Sequence, residues 1–203
     1  MPDNTSTTST KPMSTIGLKN VVIAPLTKDD ATETTYGTVE SLVGAIEASI
    51  TPQNTDPEVQ YADDGEYDTV YPDPELEFRI QMADIPLDKR KLLFDNKIDQ
   101  NGVLIKNASD KPTYFAVGFK SEKADHTYRY VWLYKVRATP MTENYATKEG
   151  ETITRQTGEI VFTAIKRTSD GQYQAVADEG ANGFTTQNAA TFLTTVYAPS
   201  FAA

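Results

Sequence analysis

YRYVWLYKV, residues 128–136, decides the fold class of this chain. At a period of two, Tyr128, Tyr130, Trp132, Tyr134 and Val136 fall on one face, and Thr127, Arg129, Val131, Leu133, Lys135 and Arg137 on the other. Aromatic and β-branched side chains fit a pleated surface, so the stretch reads as a strand. Val131 and Leu133 make the second face apolar too, which predicts a strand covered on both sides at its middle. It holds the only tryptophan and three of the eleven tyrosines, which makes it the spine of the core, with Tyr130, Trp132 and Tyr134 as core candidates. Arg129, Lys135 and Arg137 are expected to pair with acidic groups across the sheet or across an interface. A stacking platform for single-stranded nucleic acid would also use aromatics, but inside a basic groove.

Outward from the spine the same alternation recurs. Residues 114–120, with FAVGF at their heart and Phe115 as a core candidate, form the preceding strand, joined to the spine by the polar loop SEKADH. In LEFRIQM, residues 76–82, Leu76, Phe78, Ile80 and Met82 point to a core and Glu77, Arg79 and Gln81 to water or another subunit. Residues 159–166 set Ile160, Phe162 and Ala164 against Val161, Thr163 and Ile165. Shorter strands are expected at 21–23, ended or placed at an edge by Pro25, and at 103–106, 152–155 and 172–176. Asn101-Gly102 and Asp170-Gly171 supply turns. Residues 39–51 read as a strand with a bulge or bend at Gly44 and Ile46 on the side of Ala48; a short helix is the alternative. KDDATETTYGT and PQNTDP read as polar loops.

Two short helices complete the pattern. ADIPLDKRKLLFDN, residues 83–96, has Asp84 as N-cap, Pro86 in the first turn, and Leu87, Lys91 and Phe94 along one side. Residues 185–197 carry Thr186 as cap and an apolar stripe of Ala189, Phe192, Leu193 and Val196. Eight or more short strands without βαβ alternation argue a mainly β fold, an antiparallel β-sandwich or partial barrel with one or two short flanking α-helices. A single domain over residues 16–203 is expected, preceded by a Ser/Thr-rich flexible arm, residues 1–15.

Composition narrows the chemistry. With no cysteine and one histidine, His126 in the turn ADHTY, zinc sites and histidine-based triads find no residues. No phosphate-cradling glycine loop and no nucleophile elbow is present, so no catalytic residue, cofactor or metal ligand is assigned. No apolar run approaches the roughly 20 residues of a membrane span, and the first residues lack the basic start and apolar stretch of a secretory signal. Twenty-nine acidic against nineteen basic residues give a net charge of −10. That balance is opposite to a nucleic-acid grip and would repel a phosphate backbone. The densest acidic stretch is Asp63, Asp64, Glu66 and Asp68 around Gly65. A solvated hairpin turn accounts for it more simply than calcium, because the EF-hand spacing is missing.

Taken in order, IGLKNVVIAPLT, GAIEASITP with YADDGEYDT, ADIPLD, DQNGVLI, FAVGFKSEK, YRYVWLYKV and the terminal strand–turn–helix resemble the phi13-type major tail proteins, the tail tube proteins of long-tailed phages and prophages of Gram-positive hosts. The resemblance runs over about residues 15–197. It implies a virion protein of the phage tail that assembles in the host cytoplasm. Hexameric rings of such subunits stack into a tube, each subunit lending strands to a shared inner barrel. DNA passes through the lumen without specific binding. It also implies the tape measure, tail tip and terminator proteins as partners, and no membrane. Polar strand positions are the candidates for the lumen: Glu47, Glu75, Glu77 and Glu159. The arm and the acidic loop at 51–75 are expected to reach neighbouring subunits or rings. Other readings of the same fold class are a surface- or carbohydrate-binding β-sandwich and a tail terminator or connector that forms one ring. A carboxylate-based glycosidase would need two acids at a set separation, and no spacing singles out such a pair.

Overall fold

The computed structural model describes residues 14–53, 56–62, 65–141, 143, 145, 147 and 157–201. Thirteen strands and two helices lie within them: β1 (Thr15–Asp29), β2 (Thr34–Tyr36), β3 (Glu40–Ser41), β4 (Ala45–Gln53), β5 (Glu58–Ala62), β6 (Gly65–Val70), β7 (Glu75–Met82), α1 (Leu87–Phe94), β8 (Lys97–Ile98), β9 (Leu104–Ile105), β10 (Tyr114–Lys123), β11 (Tyr128–Ala138), β12 (Gly158–Ala164), β13 (Gln174–Asp178) and α2 (Thr186–Thr191). All pairings are antiparallel. The main sheet runs β2-β1-β10-β11-β12-β7-β4, with β13 added to β11 and β3 to β1.

Strand β11 is the corner of this sheet. Its first half pairs with β13, Arg129↔Asp178 to Leu133↔Gln174, and its last three residues pair with β12, Val136↔Ala164 to Ala138↔Phe162. Between the two regions the register against β10 slips: Phe115 faces Val136 and Val117 faces Leu133, so one residue of β10 opposes two of β11. Such a bulge bends its strand and reverses the side-chain alternation beyond it. Val136 therefore leaves the Tyr130–Trp132–Tyr134 face, where simple alternation put it, and joins Val131 and Leu133.

The bend folds β12-β7-β4 over β1-β10-β11. Phe78 of β7 stacks on Phe119 of β10 with centroids 5.8 Å apart, although β11 and β12 separate these strands in the sheet. The packing is thus between two facing layers, and among the described residues no barrel closes. Phe78, Ile80, Phe115 and Phe162 are fully buried between the layers, with Ile23, Leu133 and Ile160, and Leu93 and Phe94 of α1 close one end. Trp132, Tyr130 and Tyr134 occupy the other side of β11, under Phe192 and Phe184. The Trp132 Nε1–H donates to the Phe192 carbonyl at 2.7 Å, which satisfies the buried indole and ties the C-terminal segment down. Gly118 lies opposite Trp132 in the ladder and leaves room for the ring.

Several local expectations are corrected. β1 runs through Pro25 for fifteen residues, because Pro25 sits where β1 passes from β10 to β2; it needs no N–H there, and its carbonyl accepts from Gly37. Part of the polar stretch after it forms β2. Gly44, at φ +99°, divides 39–51 into β3 and β4. A bulge between Ala45 and Glu47 turns Ile46 outward and leaves Ala45 and Ala48 on the core side. β4 continues through Pro52 and Gln53 rather than ending before them. The N-cap of α1 is Pro86, not Asp84, whose side chain accepts from Ile85; Leu93 and Phe94 are its buried residues, and Leu87 is exposed. α2 begins after Thr185, which forms a capping box with Asn188, and not after Thr186. The strand expected at 152–155 lies outside the described residues, as do 1–13 of the arm.

Candidate functional site

The outer face of β4, β7 and β12 is built by register. Glu47, Gln81 and Glu159 form one row, Ser49, Arg79 and Val161 the next, and Thr51, Glu77 and Thr163 the third, with Gln53 and Glu75 beyond. Alternation puts the apolar residues of all three strands into the core and these outward. The structure thus brings Glu47, Glu75, Glu77 and Glu159 to a single face, although they are scattered over more than a hundred residues of chain. Arg79 is the cation among them. Its Nε donates to Glu77 at 2.6 Å and its Nη1 to Glu159 at 3.4 Å, and Glu77 raises the guanidinium pKa further. Four carboxylates and one guanidinium leave the face negative. Val161 is its one apolar member among these rows, and Gln81 donates to Thr157 beside it. A surface of short hydroxyls, amides and carboxylates offers no aromatic platform on which a base could stack and no cation free of a carboxylate for a phosphate.

Among the described residues β4 pairs only with β7, so among them its other edge has no strand partner. Between β4 and β7 the chain makes β5 and β6, which among the described residues pair only with each other, and Tyr61, Tyr67, Val70 and Tyr71 on or beside them are exposed. The chain matches a family model described as "Phage tail tube protein" over residues 13–198. It belongs to that family. Among curated proteins none matches it.

In this tail tube protein, a structural component of the virion tail, basic residues of β10 and β11 are held in ion pairs. Arg129 grips Asp178 with two hydrogen bonds, 2.7 and 2.8 Å, and Lys123 approaches the same carboxylate at 3.1 Å. Arg129 holds the Asp178 carboxyl at about 2; burial opposes and Lys123 adds to the lowering. Burial pushes the Asp29 carboxyl up, but Lys135, Thr168 and Thr34 outweigh it and bring it to about 2. The basic residues of the spine are therefore paired within the subunit, except that Arg137 lies over the Tyr114 ring, 5.2 Å from its centroid.

These pairs make stability depend on acidity. Both carboxylates titrate below the ordinary 3.8, so their contribution is complete above about pH 5 and is lost as pH falls toward 2. Asp29→Asn is expected to lower stability by about 1–2 kcal/mol at neutral pH, and the gap to the unsubstituted protein should close near pH 2. Thermal unfolding between those pH values checks this; a gap that stays constant with pH would refute it.

A cavity of about 210 Å³ opens beside α1, with Phe94, Pro112 and Met141 in its wall. Its charged groups are engaged within the wall: Glu143 accepts from Arg90 and from Lys106, and Asp110 accepts from Asn96 and from the Asn107 N–H. Among the described residues no group of three potential metal ligands occurs, and no helix is long and apolar enough to cross a membrane. Asp63 and Asp64 of the acidic turn lie outside the described residues. Gly65 is not the turn itself but the first residue of β6, paired with Ala62. Sequence reasoning assigned the carboxylates of the acidic face and missed Arg79 as their partner. The signal was present, since Arg79 alternates with Glu77 and Gln81 in one strand.

Proposed function

We propose that six copies of this chain close into a ring, that rings stack into the tail tube, and that the β4-β7-β12 outer face lines its lumen. The observation that carries this reading is the gathering of Glu47, Glu75, Glu77 and Glu159 with one arginine on a single polar face. At about 0.1 M salt charges act over roughly 10 Å, so carboxylates on a channel wall keep DNA off it and let it slide without specific contact. The free edge of β4 is the natural place for strand addition from a neighbour, and a head-to-tail contact of this kind closes into a ring when its rotation permits. The β5–β6 hairpin and the arm, residues 1–15, reach adjacent subunits or rings. Residues 16–203 act as one domain, with a structural and not a catalytic role. Assembly takes place in the host cytoplasm with the tape measure, tail tip and terminator proteins.

Electron microscopy of the concentrated protein tests the assembly. Long hollow tubes with six-fold end views are the expected result, and single rings would point to a terminator instead. The lumen assignment is tested in the tube by the triple substitution Glu47→Lys, Glu77→Lys, Glu159→Lys. Tubes should still form but bind added DNA fragments in low salt and release them in high salt. A density map with these side chains on the outer wall would overturn the assignment.

A further inference from the structure

The chain contains two Asn-Gly pairs in exposed turns, Asn101-Gly102 and Asn182-Gly183, and the structure sets them apart. At the first, Asp99 fixes every group that would react. The Asn101 N–H donates to its Oδ1 at 2.9 Å, the Asn101 side-chain amide to its Oδ2 at 3.3 Å, and the Gly102 N–H to its carbonyl at 3.1 Å. At the second, the turn is closed by Phe184 N–H to the Ala181 carbonyl, 3.0 Å. Among the described residues neither the Asn182 side chain nor the Gly183 N–H has a hydrogen-bond partner. Both residues are exposed, and nothing lies within 4 Å of where a Gly183 Cβ would be.

We propose that Asn182 is a site of spontaneous deamidation, and that the Asp99 turn protects Asn101 from the same reaction. The Gly183 nitrogen, having given its proton to hydroxide, attacks Cγ of Asn182. The new N–Cγ bond closes a succinimide, the Cγ–Nδ2 bond breaks, and the leaving nitrogen takes a proton from water and departs as ammonia. Water then opens either carbonyl, giving aspartate or isoaspartate at 182. The reaction needs only water, and its product persists because nothing in it is reversed by hydrolysis.

The consequence follows from what the turn holds. Phe184 packs against Tyr130 and Phe192, each at 5.7 Å between centroids, and Phe192 is the acceptor for Trp132. Isoaspartate inserts an additional backbone atom between Ala181 and Phe184 and adds a carboxylate, so the segment that covers Trp132 loosens as the protein ages.

The purified full-length chain is incubated at mildly alkaline pH, sampled over time, digested, and scored by mass for amide-to-acid conversion at both asparagines. Isoaspartate is labelled in parallel with an isoaspartyl methyltransferase. In the folded protein Asn182 is expected to convert about five- to tenfold faster than Asn101, the rate ratio that about one net hydrogen bond supplies. In urea the two should convert alike, because the protecting turn is gone. The variant Asn182→Gln should keep the midpoint of thermal unfolding constant on ageing while that of the unsubstituted chain falls. Equal or faster conversion of Asn101 in the folded chain overturns the proposal, as does failure of Asn182 to convert when the unfolded control does.

Discussion

Gly118→Ala is expected to destabilise the protein by about 2–3 kcal/mol, and Gly118→Val by more. A Cβ at this position would stand 2.8 Å from Cε3 of Trp132 and 2.9 Å from Cδ2 and Cε2. The ring cannot swing away: it is fully buried, Tyr130 and Tyr134 flank it along β11, and its N–H is held by the Phe192 carbonyl. Relief must come from moving β10 against β11, and that shift reaches both sides of the strand because Val117 and Phe119 pack in the core between the layers. For a chain of this size the loss corresponds to roughly 4–12 °C in the unfolding midpoint. A double-mutant cycle locates the cause. In a Trp132→Leu background, itself destabilised, Gly118→Ala should add little. An unchanged midpoint for Gly118→Ala alone would refute the close packing, and full additivity would place the strain elsewhere.

Removal of the β5–β6 hairpin is expected to abolish tube formation while leaving the subunit folded. Gln53 at the end of β4 pairs with Glu75 at the start of β7, so the chain ends on either side of the excision are already neighbours and a short Gly-Ser linker can replace residues 56–70. The body should keep its unfolding midpoint to within about 0.5 kcal/mol of stability, because surface changes remote from packed groups have effects of that order. Assembly is another matter. A two-stranded hairpin is marginal by itself in water, and this one presents Tyr61 and Tyr67 to solvent, each more than two thirds exposed. Aromatic side chains of that kind are enriched where protein surfaces meet. Sedimentation and electron microscopy of the shortened protein read the result. Tubes of ordinary length would remove the hairpin from the assembly mechanism, and removal of the arm, residues 1–15, tested separately, shows whether the two segments share the task.

The strands with strict alternation were legible in advance because period-two patterning and burial are the same physical fact. β7 and β12 needed no tertiary information, since Leu76, Phe78, Ile80 and Ile160, Phe162 can be buried together only if Glu77, Arg79 and Glu159 face away. The places where the alternation reading failed are bulges. The slip opposite Ala116 moves Val136 to the other face, and the slip after Ala45 puts Ile46 into solvent. A bulge is fixed by which partner strand a segment finds, and the segment's own composition does not encode that. Capping was read one or two residues away from its true place, because Thr185 and Thr186 are chemically alike and only the reciprocal contact with Asn188 chooses between them.

The sequence by itself determined the fold class, the buried spine at Trp132 and the family. The tertiary structure alone decided that four glutamates from three strands lie in adjacent rows around Arg79, because the pairing register of β4, β7 and β12 joins residues more than a hundred positions apart. It also decided which of two identical Asn-Gly pairs is held by its neighbours. Local pattern reports what a residue prefers, and only long-range pairing determines what stands beside it.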